Sequence, residues 1–152
     1  MGLLSRLLGT PGGPAALVAD LRDAYAAELG LAHALRADAE RARYPHLAAR
    51  LAQLAAVEER HAAWLADELR RLGAEPPTVP AEPSTGDSPW ERACDARRRA
   101  QRKRRRLVEL VTRRPPDEDA VADVLRRIER EDAAGLAVLE GVVVRSDPHA
   151  RD

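Results

Sequence analysis

Apolar residues recur along most of this chain at alternating spacings of three and four, the period of a helix with one buried face. The clearest run is Leu47, Leu51, Leu54, Glu58, His61, Leu65, Leu69 and Leu72. An upstream run has the same form: Leu17, Leu21, Ala24 or Tyr25, Glu28, Leu31, Leu35, and Ala39 or Ala42. Pro and Gly divide the pattern into four helices, expected at about 15–43, 46–72, 89–114 and 117–144. Pro14 suits the first helical position, and Tyr44-Pro45-His46 separates the first helix from the second. Gly73 can take a left-handed cap, and Ser88-Pro89-Trp90-Glu91 reads as a capping box. Pro115-Pro116-Asp117 makes the last turn, where Asp117, Glu118 and Asp119 suit the positive end of the fourth helix.

The connections between these helices are unequal. The first and third are short and force antiparallel hairpins. The middle one, residues 73–88, carries Pro76, Pro77, Pro80 and Pro83 and should be stiff and extended. A helix of about 26 residues is roughly 39 Å long at ~1.5 Å per residue. A dozen or so extended residues at ~3.1 Å each cover that distance, so the third helix can run parallel to the second. The expected organisation is an amphipathic tag at 1–13, one four-helix domain at 14–146 and a tail at 147–152. The tag lacks the apolar stretch and cleavage site of a signal peptide.

Composition narrows the class. With 152 residues, 45% hydrophobic and 33% charged, the chain suits one compact domain, not a disordered tail or a multidomain enzyme. Lys plus Arg (25) cancel Asp plus Glu (25), so charge arguments must be local. Phe is absent, leaving Leu, Val and Ala to build the core. One cysteine, Cys94, excludes an internal disulfide and a Cys-rich metal site, and it fits a reducing cytoplasm. No apolar run is long enough to cross a bilayer.

Two polar residues interrupt the second stripe. Glu58 and His61 are i and i+3, so both point inward at mid-helix, and antiparallel pairing brings Glu28 of the first helix level with them. An unpaired carboxylate there would be costly, so something must compensate it. A Glu on one helix and Glu-x-x-His on the next form the half-site of di-iron carboxylate bundles. The stretch from Tyr25 to Gly73, with AEL at Glu28 and YPHLAARLAQLAAVEERHAAWLADELRRLG behind it, resembles the rubrerythrin-like and ferritin-like proteins. That resemblance implies an all-α, ferritin-like four-helix bundle of two hairpins and one crossover. It also implies bound iron or manganese, with O₂ or peroxide chemistry or iron handling.

The family repeats its hairpin, and here the repeat is partial. Laying Val57–Leu65 on Ile128–Leu136 puts Glu129 at the place of Glu58 and Asp132 at that of His61, with Glu131 as a one-residue register alternative. The metal set implied by resemblance is therefore Glu28, Glu58, His61, Glu129 and Asp132. No second His follows, and the position matching the family's third-helix Glu falls near Arg99. The expected inward stripe of the third helix is Trp90, Cys94, Arg97, Ala100 or Gln101, Arg104, Leu107 and Val111. A second reading is thus a metal-free, degenerate bundle in which Arg97 or Arg104 neutralises the carboxylates. A rubrerythrin's Cys-rich iron centre cannot form from one cysteine, so reducing equivalents would come from a partner. Whether the chain is an enzyme stays open.

From Trp90 to Arg114 there are eleven basic residues against three acidic ones. Arg98, Arg99, Arg102, Arg105 and Arg106 should form an exposed basic patch, suited to an acidic protein partner, or simply a solvated face. No aromatic residue is interleaved, which argues against nucleic acid. Ala48, Ala52, Ala55 and Ala62 would permit close helix contact in a homo-oligomer. His33, His46 and His149 show no partner spacing and read as structural or solvated, Trp64 and Trp90 read as filling core volume, and Cys94 reads as a buried small hydrophobe.

Overall fold

A computed structural model describes residues 13–113 and 120–150, which form four helices and no strand. They are α1 (Pro14–Arg41), α2 (Pro45–Arg71), α3 (Pro89–Thr112) and α4 (Ala120–Ser146). The expected tag, apart from Gly13, lies outside the described residues, as do the expected turn at Pro115-Pro116-Asp117 and the last two residues of the tail. α1 packs on α2 and α3 on α4, while α1 also faces α3 and α2 faces α4. Every neighbouring pair is antiparallel and the diagonal pairs are parallel, the all-α ferritin-like arrangement.

Local chemistry sets the ends. Pro occupies the first turn of α1, α2 and α3, where its missing N–H costs nothing. α2 closes in a Schellman motif: Gly73, at φ 75°, donates to Arg70 O at 2.9 Å, and Ala74 N donates to Leu69 O at 2.9 Å. α3 opens with a complete capping box between Ser88 and Glu91.

The crossover is a strap laid along the seam between α1 and α3. Arg22 Nε donates to Glu75 O at 3.1 Å near the start of α1, and Ser84 Oγ donates to Asp38 Oδ2 at 2.5 Å near its end. On the α3 side Thr85 N donates to Asp95 Oδ2 at 3.0 Å, while Arg99 donates to Glu82 O and Pro83 O at 3.1 and 2.9 Å. These bonds satisfy backbone groups of a Pro-rich segment that has no ladder of its own.

The strap explains why α3 is turned from its expected orientation. Its buried residues are Arg92, Ala93, Asp95, Ala96, Ala100, Lys103, Leu107 and Leu110. Trp90 is 37% exposed, and Cys94, Arg97 and Arg104 are only half-buried. Strap partners make Arg92 and Asp95 cheap to bury, so the inward face begins there. Along the bundle axis two apolar clusters follow one another. One is built on Leu31, Leu35, Leu51, Leu54, Leu139 and Val142, the other on Leu21, Leu65, Leu69, Leu107, Leu125 and Ile128. Between them lies a polar layer.

Gly86 holds φ 128°, and a Cβ there would meet Glu91 Cβ at 2.4 Å. Gly86→Ala should therefore cost about 1–3 kcal/mol in urea denaturation, and Ser88→Ala about 1 kcal/mol. An unchanged midpoint for Gly86→Ala would show that the strap does not need this turn.

Candidate functional site

Five side chains from all four helices meet in the polar layer: Glu28 from α1, Glu58 and His61 from α2, Lys103 from α3 and Asp132 from α4. All are buried. The stripe spacing of α2 carries Glu58 and His61 inward in the same register as its leucines, and α1 does the same for Glu28. Glu28, Glu58, His61 and Asp132 each offer a ligand atom within 4.8 Å of the others, a grouping that could hold a metal ion.

The centre of that grouping is taken by Lys103. Its Nζ donates to Glu28 Oε2 at 2.7 Å and to Asp132 Oδ1 at 2.8 Å, and makes a short contact with Glu58 Oε2. His61 is the second cation. Its Nδ1 lies 3.4 Å from both Glu28 Oε2 and Asp132 Oδ1, and its Nε2 donates to Glu131 Oε2 at 2.9 Å. Glu131 also accepts from Arg60 at 2.7 Å and from Arg127 at 3.3 Å, linking the layer to the surface. Trp64 closes that exit: its ring centroid stands 5.4 Å from that of His61, and the Arg127 guanidinium lies 4.2 Å over the indole.

Burial and charge work against each other here. Burial pushes the Glu28 carboxyl up, but the Lys103 ammonium together with His61 and Glu58 overcomes it and holds the group at about 2. Burial likewise opposes protonation of His61, yet the carboxylates of Asp132, Glu28 and Glu131 raise it to about 10. Burial lowers Lys103, and its three carboxyl partners more than reverse this. Glu58 is the exception. Burial pushes it well up, its neighbours Glu28 and Asp132 push the same way, and Lys103 does not compensate. The layer thus sets one ammonium and one imidazolium among three buried carboxyls, and Glu58 is the one whose protonated form burial favours.

Glu28, Glu58, His61 and Asp132 are thus brought together, but Glu129 is not. It sits at the bundle's edge and accepts from Arg104 at 2.8 Å, both side chains being partly exposed. The neutralising role expected of Arg97 or Arg104 falls instead to Lys103, one position before Arg104, because α3 is turned. Arg97 Nε has no hydrogen-bond partner among the described residues. A signal for Lys103 was present in the sequence: it is the only lysine, all other members of the 25 Lys and Arg being arginine. A compact ammonium with three donors fits among three carboxyls, and a planar guanidinium does not.

Of the basic patch, Arg98, Arg102, Arg105 and Arg106 are exposed, whereas Arg99 is fastened to the strap and to Asp95. Arg98 and Arg105 also meet Asp95 and Glu109 in loose surface pairs at 3.6 and 3.4 Å.

The donor set does not match a di-metal half-site pair. The second Glu-x-x-His is reduced to Glu129 and Asp132, and α3 supplies a cation where such a site needs a carboxylate. Any ion entering the layer has to displace the Lys103 ammonium from three oxygens.

Comparison with known proteins places the fold. A family model described as a domain of unknown function (DUF892) matches residues 15–86, the first hairpin and the strap. Among solved structures, a Desulfovibrio desulfuricans bacterioferritin, described by the diiron site it contains, superposes with a TM-score of 0.77. The two are 23% identical, and the match covers 90% of this chain and 83% of that one. No curated protein matches the chain. No described helix is long and apolar enough to cross a membrane.

Two outcomes are expected. With a chelator present, Lys103→Ala should cost about 3–5 kcal/mol, because three buried carboxyls lose their common partner. Arg97→Ala should cost far less, and equal losses in the two variants would return the neutralising role to Arg97. The His61 contribution is complete below the unfolded value of 6.5 and is lost as pH rises through about 10. The urea midpoint should therefore fall between pH 7 and 10, and less steeply in His61→Gln; a flat parent profile would contradict the imidazolium assignment.

Proposed function

We propose that this ferritin-like bundle is a metal-independent scaffold in which the Lys103 ammonium holds the place of the cation, and that it works by binding a partner rather than by catalysis. The observation that carries this reading is the triple contact of Lys103 Nζ with Glu28, Glu58 and Asp132. A +1 group already bonded to three carboxyl oxygens satisfies the charges that a metal would otherwise be needed to neutralise. The partner surface best suited to this reading is the basic face of α3, where Arg102 and Arg106 are one turn apart and exposed beside Arg98 and Arg105. An acidic protein surface complements it.

A second reading keeps the layer as a site for iron or manganese. It is favoured by the proximity of the four ligand atoms and by Asp132 Oδ2, a buried oxygen with no hydrogen-bond partner among the described residues. Likeness to a bacterioferritin with a diiron site points the same way. Glu28, Glu58, His61 and Asp132 would hold the ion, and when bound it would supply redox chemistry toward O₂ or peroxide. Glu131 would then orient His61 through Nε2, as a carboxylate behind a ligating imidazole does.

Elemental analysis of the full chain, with Fe(II) and Mn(II) titration, separates the two. Under the first reading the parent binds neither ion, and Lys103→Ala gains about one ion per chain because the ammonium's place opens to a metal. Stoichiometric iron or manganese in the parent, lost in a Glu58→Ala, His61→Ala variant, would overturn the first reading and establish the second. The partner face is tested by titration with an acidic glutamate-rich peptide. Arg102→Glu, Arg106→Glu should abolish a binding that weakens with salt, and salt-insensitive binding would remove this face from the account.

A further inference from the structure

The seam between α3 and α4 opens outward into a recess of about 430 Å³, lined by Gln101, Arg104, Arg105, Val108, Glu109 and Leu136. Its apolar wall is not explained by packing inside the bundle. Val108 is 37% exposed and belongs to neither apolar cluster, whereas Leu136, across the seam, rests on the edge of the first. The neighbouring Leu107 and Leu110 are buried in the second cluster, so Val108 alone forgoes the burial that the apolar residues around it gain.

The charges around this recess are unevenly answered. Glu129 takes Arg104 at 2.8 Å, but Glu109 meets Arg105 only at 3.4 Å, and the Arg105 side chain is 84% exposed. Arg98 reaches Asp95 at 3.6 Å, and Arg99 already holds that carboxylate at 2.9 Å. Arg97 is half-buried and has no acid within ion-pair distance among the described residues. Arg97, Gln101, Arg104 and Val108 follow one another at spacings of four, three and four, with Arg98 and Arg105 beside them. The stripe is about 16 Å long at ~1.5 Å per residue, positive over most of its length and apolar at its end.

We propose that this seam is the docking groove for an acidic amphipathic helix of a partner protein, which lays its carboxylates along Arg97, Arg98 and Arg105 and seats one apolar side chain between Val108 and Leu136. The inference rests on the partner-binding reading above and adds the form of the partner and its anchor. Two other common modes of peptide recognition lack their counterpart here. Strand addition needs a sheet edge, and the described residues hold no strand. A polyproline segment needs a groove lined by aromatics, and no aromatic residue lines this recess. A helix laid between two helices fits both the shape of the seam and the helical spacing of its charges. The arginines set the sign of that helix, and Val108 sets where its apolar residue falls, one turn beyond the acid that meets Arg105. An anchored side chain adds an attraction that salt does not screen.

The test is a fluorescence-anisotropy titration of the full chain with two labelled, alanine-based helical peptides that carry glutamates along one face. They differ at one position, one turn beyond the last glutamate, which is leucine in the first and serine in the second. The leucine peptide should bind about tenfold more tightly, as burial of one apolar side chain provides. Val108→Ser changes an exposed residue, so it should fold as the parent does. It should bring the leucine peptide down to the affinity of the serine peptide and leave the latter unchanged, while Arg98→Glu, Arg105→Glu should abolish binding of both. Equal affinity of the two peptides, or a leucine advantage that survives Val108→Ser, would overturn this proposal and leave an acidic partner for α3 standing. Binding of neither peptide would remove the basic face itself and this groove with it. A parent that sediments as a dimer, and as a monomer with Val108→Ser, would give the recess to a second copy of this chain and overturn the proposal.

Discussion

An ammonium group bonded to three carboxyls in the middle of a four-helix bundle is the contact on which the rest of this molecule depends. Burying any one of these ionisable groups without partners is costly, so Glu28, Glu58, Asp132 and Lys103 are tolerated only as a set. They come from four different helices, so sliding or rotating one helix breaks several bonds at once. The apolar clusters above and below can repack gradually, whereas the polar layer cannot. It therefore fixes register in a core made of leucine, valine and alanine, whose similar shapes would otherwise permit slippage.

The first hairpin was legible because its pattern is local. In α1 and α2 the leucine stripe places Glu28, Glu58 and His61 inward, and the structure buries all three. α3 was not legible in the same way. Its stripe is diluted by arginines, and the face that it buries carries Arg92 and Asp95, whose partners lie on the strap. No periodicity within α3 reports that a distant Pro-rich segment will cover it. The turn of α3 that follows, about one residue's rotation, replaces Arg104 by Lys103 at the centre. The second half-site failed for a related reason. Aligning two segments by their apolar frame identifies Asp132, but Glu129 faces outward to Arg104 and Glu131 takes the imidazole.

The strap does more than connect two hairpins. It fills the α1–α3 seam and ties Asp38 to Ser84, burying both polar groups near the end of α1. It also withdraws Arg99 from the basic face of α3, leaving the exposed Arg98, Arg102, Arg105 and Arg106 to meet a partner. One connection thus sets the orientation of α3, the burial of Asp38 and the extent of a charged surface.

Lysine's solitude has a chemical consequence. The one side-chain amine in 152 residues is about 6% exposed and protonated among carboxyls. While the bundle is closed, its surface therefore presents guanidinium groups but no lysine nucleophile to acylating reagents or to enzymes that acetylate or conjugate lysine. Acylation of Lys103 requires the four helices to part, so its rate reports the opening of this core at a single atom.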